Sequence, residues 1–285
     1  MIYREIDLTA EFKNLEKDTS GNPVLTAYIP DNYEAIDINR KRPTVLIFPG
    51  GGYRSRSRRE AEPVALAYMG KGFNAFILEY SVYPECKHPR PLLQAAAAMA
   101  YIRKNADEFH VDPEAIAVVG FSAGGHLAGT ISTLWKEEIV SETLGIEARD
   151  ARPDASVLAY AVLVNKYAHQ PSFDRVSDGD EEIADYLSIH KHVDADTPPT
   201  YLFATADDAT VNPKSTLLTA LALQEHGVSY EMHIYKSGRH GYSLGTYVTT
   251  RPDAEDLKKR IDPHVAGWFD ESVHFLKELF AKNNI

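Results

Sequence analysis

The sequence is short of cysteine, of positive charge and of long apolar runs, and each shortage excludes something. Cys86 is the only cysteine in 285 residues, so an internal disulfide is impossible and no thiolate cluster can hold a metal. A lone cysteine fits a reducing compartment. Basic residues number 30 against 41 acidic ones, a formal net charge of −11. Nucleic acid and anionic membrane both need a basic face, so neither is expected as a partner. No apolar run approaches the ~20 residues of a membrane-spanning helix; "AAAAMA" is short and lies in an amphipathic stretch. The opening "MIYREIDLTAEFKNLEKD" has no basic segment followed by an apolar one, so no secretion signal is read and cytoplasmic residence is the expectation.

What remains is an ordinary globular composition, 44% apolar and 25% charged, able to bury a sizeable core. Apolar, β-branched runs at "TVLIFPG" (44–50), "FNAFILEY" (73–80), "IAVVG" (116–120), "SVLAYAVLV" (156–164), "TYLFAT" (200–205) and "YEMHIY" (230–235) read as strands. Between them lie helical patterns near 60–71, 91–109, from Ser122 to about Trp135, and at 214–227; an amphipathic helix closes the chain at 264–280. Strands buried on both faces and separated by helices imply an α/β fold: a doubly wound, mostly parallel sheet with helices on both faces. "IYREIDL" and "VLTAYIPD" read as a leading antiparallel pair. Residues 166–196 are polar and acidic and break the alternation. They are expected to be an insertion, or cap, over one end of the sheet within a single domain spanning 1–285.

"VVGFSAGGHLAG" (118–129) sets Ser122 where a strand hands over to a helix. Gly-X-Ser-X-Gly permits a turn tight enough to project the hydroxyl, with the helix's free N–H groups behind it. The plain alternative is a glycine-rich turn with an incidental serine. "FPGGGY" (48–53) ends an earlier strand in three glycines, whose amides, with that of Ala123, form a donor set for an oxyanion. "ATADDATVNP" (204–213) places Asp207 and Asp208 after a strand, and "YKSGRHGYSL" (235–244) places His240 after the last one. Either aspartate could simply cap its turn, and a histidine there is by default a surface residue. His126 is expected to pack beneath the serine turn. His190 and His192 lack the companions a metal site needs, so no metal and no cofactor are expected. "RSRSRRE" (54–60) reads most simply as a solvated loop neutralising nearby acids; the sharper reading is a rim that meets a polar or anionic substrate.

With "PGGGY", "REAEPVALAYMGKGFNAFILEYSV", "VVGFSAGGHLAG", "PPTYLFATADDATV", "SGRHG" and "HVAGW", the chain resembles the α/β-hydrolases of the acetyl xylan esterase-like, carbohydrate acetylesterase branch, near the hormone-sensitive-lipase-like esterases. The resemblance runs from about residue 43 to the C-terminus. It implies Ser122 as nucleophile, His240 as base and Asp208 as the acid, three residues before Val211. It implies Gly51, Gly52 and Ala123 as oxyanion donors. Tyr53, Arg59 and Tyr242 are expected at the substrate. Pro49 departs from the His-Gly-Gly-Gly of lipase-like relatives and is similar to the sugar-esterase branch.

The activity so implied is serine esterase action through an acyl-enzyme, deacetylating small acetylated sugars or xylooligosaccharides. An amide hydrolase of the same fold, of serine peptidase or arylformamidase type, carries the same motifs. A non-catalytic binding descendant would normally have lost one of the three residues. The partner expected is a small ester; a homo-oligomer is compatible with the sequence.

Overall fold

In β3 (Arg42–Phe48), Val45 and Ile47 turn to one side of the sheet while Leu46 and Phe48 turn to the other, and all four are buried. The same period-2 split recurs in β4 (Asn74–Glu79), where Phe76 and Leu78 oppose Ala75 and Ile77. A strand apolar on both faces needs a cover on each. The computed structural model, which describes residues 1–21, 23–251 and 261–281, provides both covers. The helices Arg90–Lys104, Ala123–Leu134 and Lys214–Glu225 pack on one face, through Ala95, Leu127 and Leu223. Glu62–Met69 and Trp268–Ala281 pack on the other, through Val64, Tyr68, Trp268 and Leu276.

The sheet has eight strands. Besides β3 and β4 these are β1 (Ile2–Asp7), β2 (Val24–Ile29), β5 (Val111–Phe121), β6 (Ala155–Ala159), β7 (Thr200–Thr205) and β8 (Tyr230–Tyr235), in the order β1-β2-β4-β3-β5-β6-β7-β8. The β1–β2 and β2–β4 pairs are antiparallel and the rest are parallel. The sheet is therefore the mostly parallel α/β sheet implied by the strand pattern, with the leading antiparallel pair at one edge.

After β3 the chain builds β4 on one side and then crosses to build β5 on the other. The loops leaving β3 and β5 must therefore diverge, opening a crevice at the carboxyl ends of the two strands. Phe48 is in register with Gly120, so the Pro49–Gly52 loop and Ser122 emerge side by side.

Several boundaries differ from the pattern-based expectation, β5 beginning at Val111 rather than 116 for example, and two of the differences have a visible cause. The run 156–164 is strand only to Ala159; the chain then turns at Tyr160, where φ is 36°, and Val162 N–H donates to the Ser122 carbonyl (3.1 Å). Continuous apolar sequence hides that exit because the turn is itself buried. The helix expected at 91–109 ends at Lys104, and the Asn105 side chain donates back to the Tyr101 carbonyl (2.8 Å).

The helix Ala123–Leu134 reaches the end of β3 only because Gly124 has no side chain. A Cβ there would lie 2.0 Å from the Phe48 carbonyl oxygen, a backbone atom that cannot rotate away. Gly124→Ala should therefore lower stability by about 3 kcal/mol or more, the upper range for overpacking. At this chain length that corresponds to a Tm drop of roughly 5 °C or more. Gly70→Ala is the comparison, since Gly70 has a right-handed backbone (φ −61°) and its Cβ would make contacts no closer than 3.4 Å. A calorimetric scan in which both variants melt with the wild type would contradict this account.

Candidate active site

Ser122 sits between β5 and the helix Ala123–Leu134 with φ 53° and ψ −116°. A non-glycine residue at positive φ stores roughly 1–3 kcal/mol of strain, and here three backbone bonds hold it. Ser122 N–H donates to Ala159 O (3.0 Å), and Ser122 O accepts from His126 N–H (3.0 Å) and Val162 N–H (3.1 Å). The side chain thus points away from the sheet end. Gly120 and Gly124 serve close approach rather than φ: a Cβ on Gly120 would lie 2.3 Å from Gly124 O.

The Ser122 hydroxyl lies 2.7 Å from His240 Nε2, and His240 Nδ1 lies 2.7 Å from Asp208 Oδ2. The Asp208 side chain is 1% exposed and that of His240 17%. The other carboxylate oxygen of Asp208 accepts from Thr210 N–H (2.8 Å) and Val211 N–H (3.0 Å). A carboxylate accepts only, so His240 Nδ1 carries the proton and the Nε2 lone pair faces the serine. The neighbouring Asp207 is turned the opposite way, accepting from Ser237 Oγ and Gly238 N–H (both 2.6 Å), which hold its carboxyl below the usual range.

Gly51 and Gly52 line the same cleft as Ser122 and His240. Gly51 has φ +134° and Gly52 +64°; a Cβ on Gly51 would strike the Ser55 carbonyl at 2.1 Å. Only glycine can follow that path. The Ala123 amide, the first of its helix, has no intrahelical acceptor.

Glu60, which sequence reasoning left inside a basic loop, is 3% exposed and lies against the site. It accepts from Gly50 N–H (2.8 Å) and Tyr160 Oη–H (2.7 Å). Tyr160 in turn accepts from Ser243 N–H (2.9 Å), and its ring stands edge-on to His240 at 5.1 Å. One carboxylate therefore ties the glycine loop to the support of the histidine. A glutamate among arginines carries no sequence mark of burial.

Tyr53 and Tyr242, expected at the substrate, are not in the cleft. Tyr53 is 1% exposed, and its hydroxyl bonds His126 Nδ1 at 2.8 Å. Tyr242 is 5% exposed, and its ring fills the space that side chains on Gly238 and Gly245 would need. Both expectations are corrected because the rings are packed inward: Tyr53 stands edge-on to Tyr80 and His126, and Tyr242 packs against the backbone of Gly238 and Gly245. Arg59 does line the cleft, with Arg54, His169, Pro171 and Arg175. The last three come from the 166–196 stretch, folded into short helices at Gln170–Val176 and Glu181–Tyr186. His169 is held below the usual imidazole range by burial and by the nearby Arg175 and His240. Among the described residues, no three His, Cys, Asp or Glu side chains converge as metal ligands. No described helix is long and apolar enough to cross a membrane.

His126 is a joint rather than a second base. Its Nε2–H donates to the Leu187 carbonyl (3.0 Å) and its Nδ1 accepts from Tyr53, joining the serine helix to the 166–196 stretch and the glycine loop. Burial pushes its pKa from 6.5 down to about 4, and burial likewise lowers His88 to about 4. Both stay neutral when folded but take up a proton in the unfolded chain below pH 6.5. Stability is thus fully present above that pH and is lost as pH falls toward 4, by about 3 kcal/mol for a fully buried imidazole. Melting temperature should decline from pH 7 to pH 4, and His126→Gln, which keeps a donor for Leu187, should flatten that decline. An unchanged slope in His126→Gln would remove His126 as a source of acid sensitivity.

Residues 31–223 match the BD-FAE family. The chain is 30% identical over 238 residues to endo-1,4-beta-xylanase B of Butyrivibrio fibrisolvens, covering 81% of this chain and 36% of that protein. It is 25% identical over 248 residues to the acetylxylan esterase of Xylanibacter ruminicola, covering 84% of this chain and 48% of that one. It therefore spans between about a third and a half of the length of these curated relatives. Among solved structures it is similar to an acetyl ester-xyloside bifunctional hydrolase from Caldicellulosiruptor lactoaceticus, with a TM-score of 0.81 and 33% identity, covering 97% of this chain and 96% of that one. With its eight-stranded sheet and a serine held at the switch point, this chain belongs to the BD-FAE family of α/β-hydrolases, in the acetyl xylan esterase-like branch.

Proposed function

We propose that this protein is a serine ester hydrolase that works through an acyl-enzyme and removes small acyl groups, acetate above all, from sugars or short oligosaccharides. The observation that carries the reading is the hydrogen-bonded line from Ser122 through His240 to Asp208. His240 Nε2 takes the serine proton, and the alkoxide attacks the ester carbonyl. The amides of Gly51, Gly52 and Ala123 receive the oxyanion, a contribution of ~3–4 kcal/mol for each well-aimed donor. His240 then protonates the leaving alcohol, and water repeats the sequence to free the acid. Asp208 keeps the imidazole in the required tautomer and stabilises its charged form. The acetyl preference draws on the names of the relatives and on a cleft of about 510 Å³ whose lining residues are mostly polar. We read the chain as one domain, with 166–196 as a cap over the cleft.

Ser122→Ala should abolish turnover of 4-nitrophenyl acetate while the fold and melting temperature stay close to wild type. Asp208→Asn should lower kcat by about 10⁴-fold, the scale known for an analogous triad, because it mis-sets the histidine tautomer. Asp207→Asn should leave kcat nearly intact and cost roughly 1 kcal/mol, as for a lost turn cap. Comparing kcat and Tm of the two aspartate variants decides between them; loss of turnover in Asp207→Asn alone would reverse the assignment.

Acyl length gives a separate check. Among the described residues, Pro171 is the only one whose hydrophobic side chain lines the cleft, the remaining apolar surface coming from glycines and the carbon atoms of polar side chains, so a long alkyl chain gains little there. Acetyl and propionyl esters of 4-nitrophenol should exceed the octanoyl ester in kcat/KM, and a preference for octanoyl would contradict the small-acyl reading.

A further inference from the structure

Resting on the esterase reading above, we propose that the cleft beside Ser122 contains an anion subsite built by Arg54, Arg59 and Arg175, and that the substrate is an ester bearing a carboxylate. The distribution of arginine partners points to it. Six guanidiniums outside the cleft meet carboxylates: Arg4 pairs with Glu108, Arg56 and Arg58 with Glu79, Arg90 with Glu16 and Glu85, Arg103 with Asp154, and Arg149 with Glu114, whereas Arg42 and Arg152 donate to carbonyls instead. Among the described residues, none of the three cleft arginines has a carboxylate within ion-pair distance, although the protein has eleven more acidic than basic residues.

The positions of these arginines are fixed by protein carbonyls rather than by acids. Arg175 Nη1 donates to Gly52 O at 2.8 Å, beside the glycine loop. Arg59 Nη2 donates to Gly241 O at 3.3 Å, next to His240, and Nη1 to Thr249 O at 3.4 Å. Neutral carbonyls orient a guanidinium without cancelling its charge, and each fork has five donors. Two preset forks thus flank Ser122 from the loop side and from the histidine side, with the exposed Arg54 at the mouth.

The nearby acids do not neutralise this charge by contact. Among the described residues, Glu60 is the one carboxylate lining the cleft, and its oxygens are taken by Gly50 and Tyr160. Those of Asp208 are taken by His240, Thr210 and Val211. A cleft made for neutral sugars alone would present amides, free carboxylates and a flat aromatic platform. Among the described residues, this lining has no Asn, no Gln and no Phe, Tyr or Trp. Arginine forks instead match a carboxylate, two donors to two oxygens.

Two matched pairs of esters test the subsite and show on which side of the ester the carboxylate belongs. For the alcohol side the pair is 4-acetoxybenzoate and 4-acetoxybenzamide; for the acyl side it is mono-4-nitrophenyl glutarate and 4-nitrophenyl pentanoate. Rates are normalised to alkaline hydrolysis. In at least one pair the anionic ester should have about tenfold or greater advantage in kcat/KM, the scale of one charge-assisted hydrogen bond. That advantage should shrink toward one in the Arg54→Gln/Arg175→Gln double variant, read as a ratio within the variant, and should fall with added salt. In Ser122→Ala, calorimetry should show the favoured anionic ester binding more tightly than its neutral mate, a readout independent of turnover. Ratios near one in both pairs, in turnover and in binding, overturn the subsite, as does an anion preference that survives the double variant. Turnover of 4-nitrophenyl acetate separates the two ideas: its absence in folded protein counts against the esterase reading, while its presence with ratios near one counts against the subsite alone.

Discussion

Gly124 lies so near the Phe48 carbonyl that no side chain fits between them, and the geometry of the cleft depends on that contact. It brings the first turn of the helix Ala123–Leu134 against the carboxyl end of β3. The Ala123 amide and the glycine loop after Phe48 are then neighbours, although more than seventy residues separate them in sequence. The strand order does the rest. Because β4 and β5 lie on opposite sides of β3, the two loops part at this point and leave a crevice where the serine emerges. A strained Ser122 survives there because Ala159, Val162 and His126 each hold its backbone.

Buried polar groups then fix the side chains to the frame. Glu60 bridges the glycine loop to Tyr160, and Tyr160 stands against His240. His126 bridges the serine helix to Tyr53 and to the carbonyl of Leu187. Each donor and acceptor in these bridges is paired, which is the condition for polar groups to rigidify an interior rather than destabilise it. The cleft is thus framed from three directions by groups that touch one another, so displacing one loop disturbs the others. Positioning to a fraction of an ångström demands support of this kind.

The fold was legible because its strands are apolar on both faces and are punctuated by Gly and Pro. Phe48-Pro49-Gly50 and Val119-Gly120-Phe121 mark strand ends directly. The meeting of Ser122, Asp208 and His240 was legible for a related reason: each follows its own parallel strand, and parallel strands end on one side. Adjacent aspartates could be told apart only by spacing to Val211, and the backbone does turn Asp207 and Asp208 to opposite sides. The rest depended on three-dimensional volume, which a linear pattern does not carry. Tyr53 and Tyr242 flank reactive motifs yet are buried, Tyr53 against Tyr80 and His126 and Tyr242 against Gly238 and Gly245. Glu60 sits in a run of arginines yet is buried, because Gly50 and Tyr160 supply the donors its carboxylate needs.

The arginine-rich loop shows how charge can be general on a surface and particular in a cleft. Arg56 and Arg58 turn outward to Glu79, whereas Arg54 and Arg59 turn to the cleft. Arg54 lies in the turn after the glycines, whereas Arg58 and Arg59 are adjacent in the 3-10 turn Arg58–Glu60 and leave it in different directions, so one basic run serves both ends. A net charge of −11 repels anions at long range, but at physiological salt that field decays within about 8 Å. Inside a cleft partly shielded from water, the nearest charges dominate because screening there is weaker. An anionic ester would therefore meet a modest barrier in approach and a favourable field on arrival. Adding salt lowers the first and weakens the second, so its effect on encounter and its effect on binding have opposite signs.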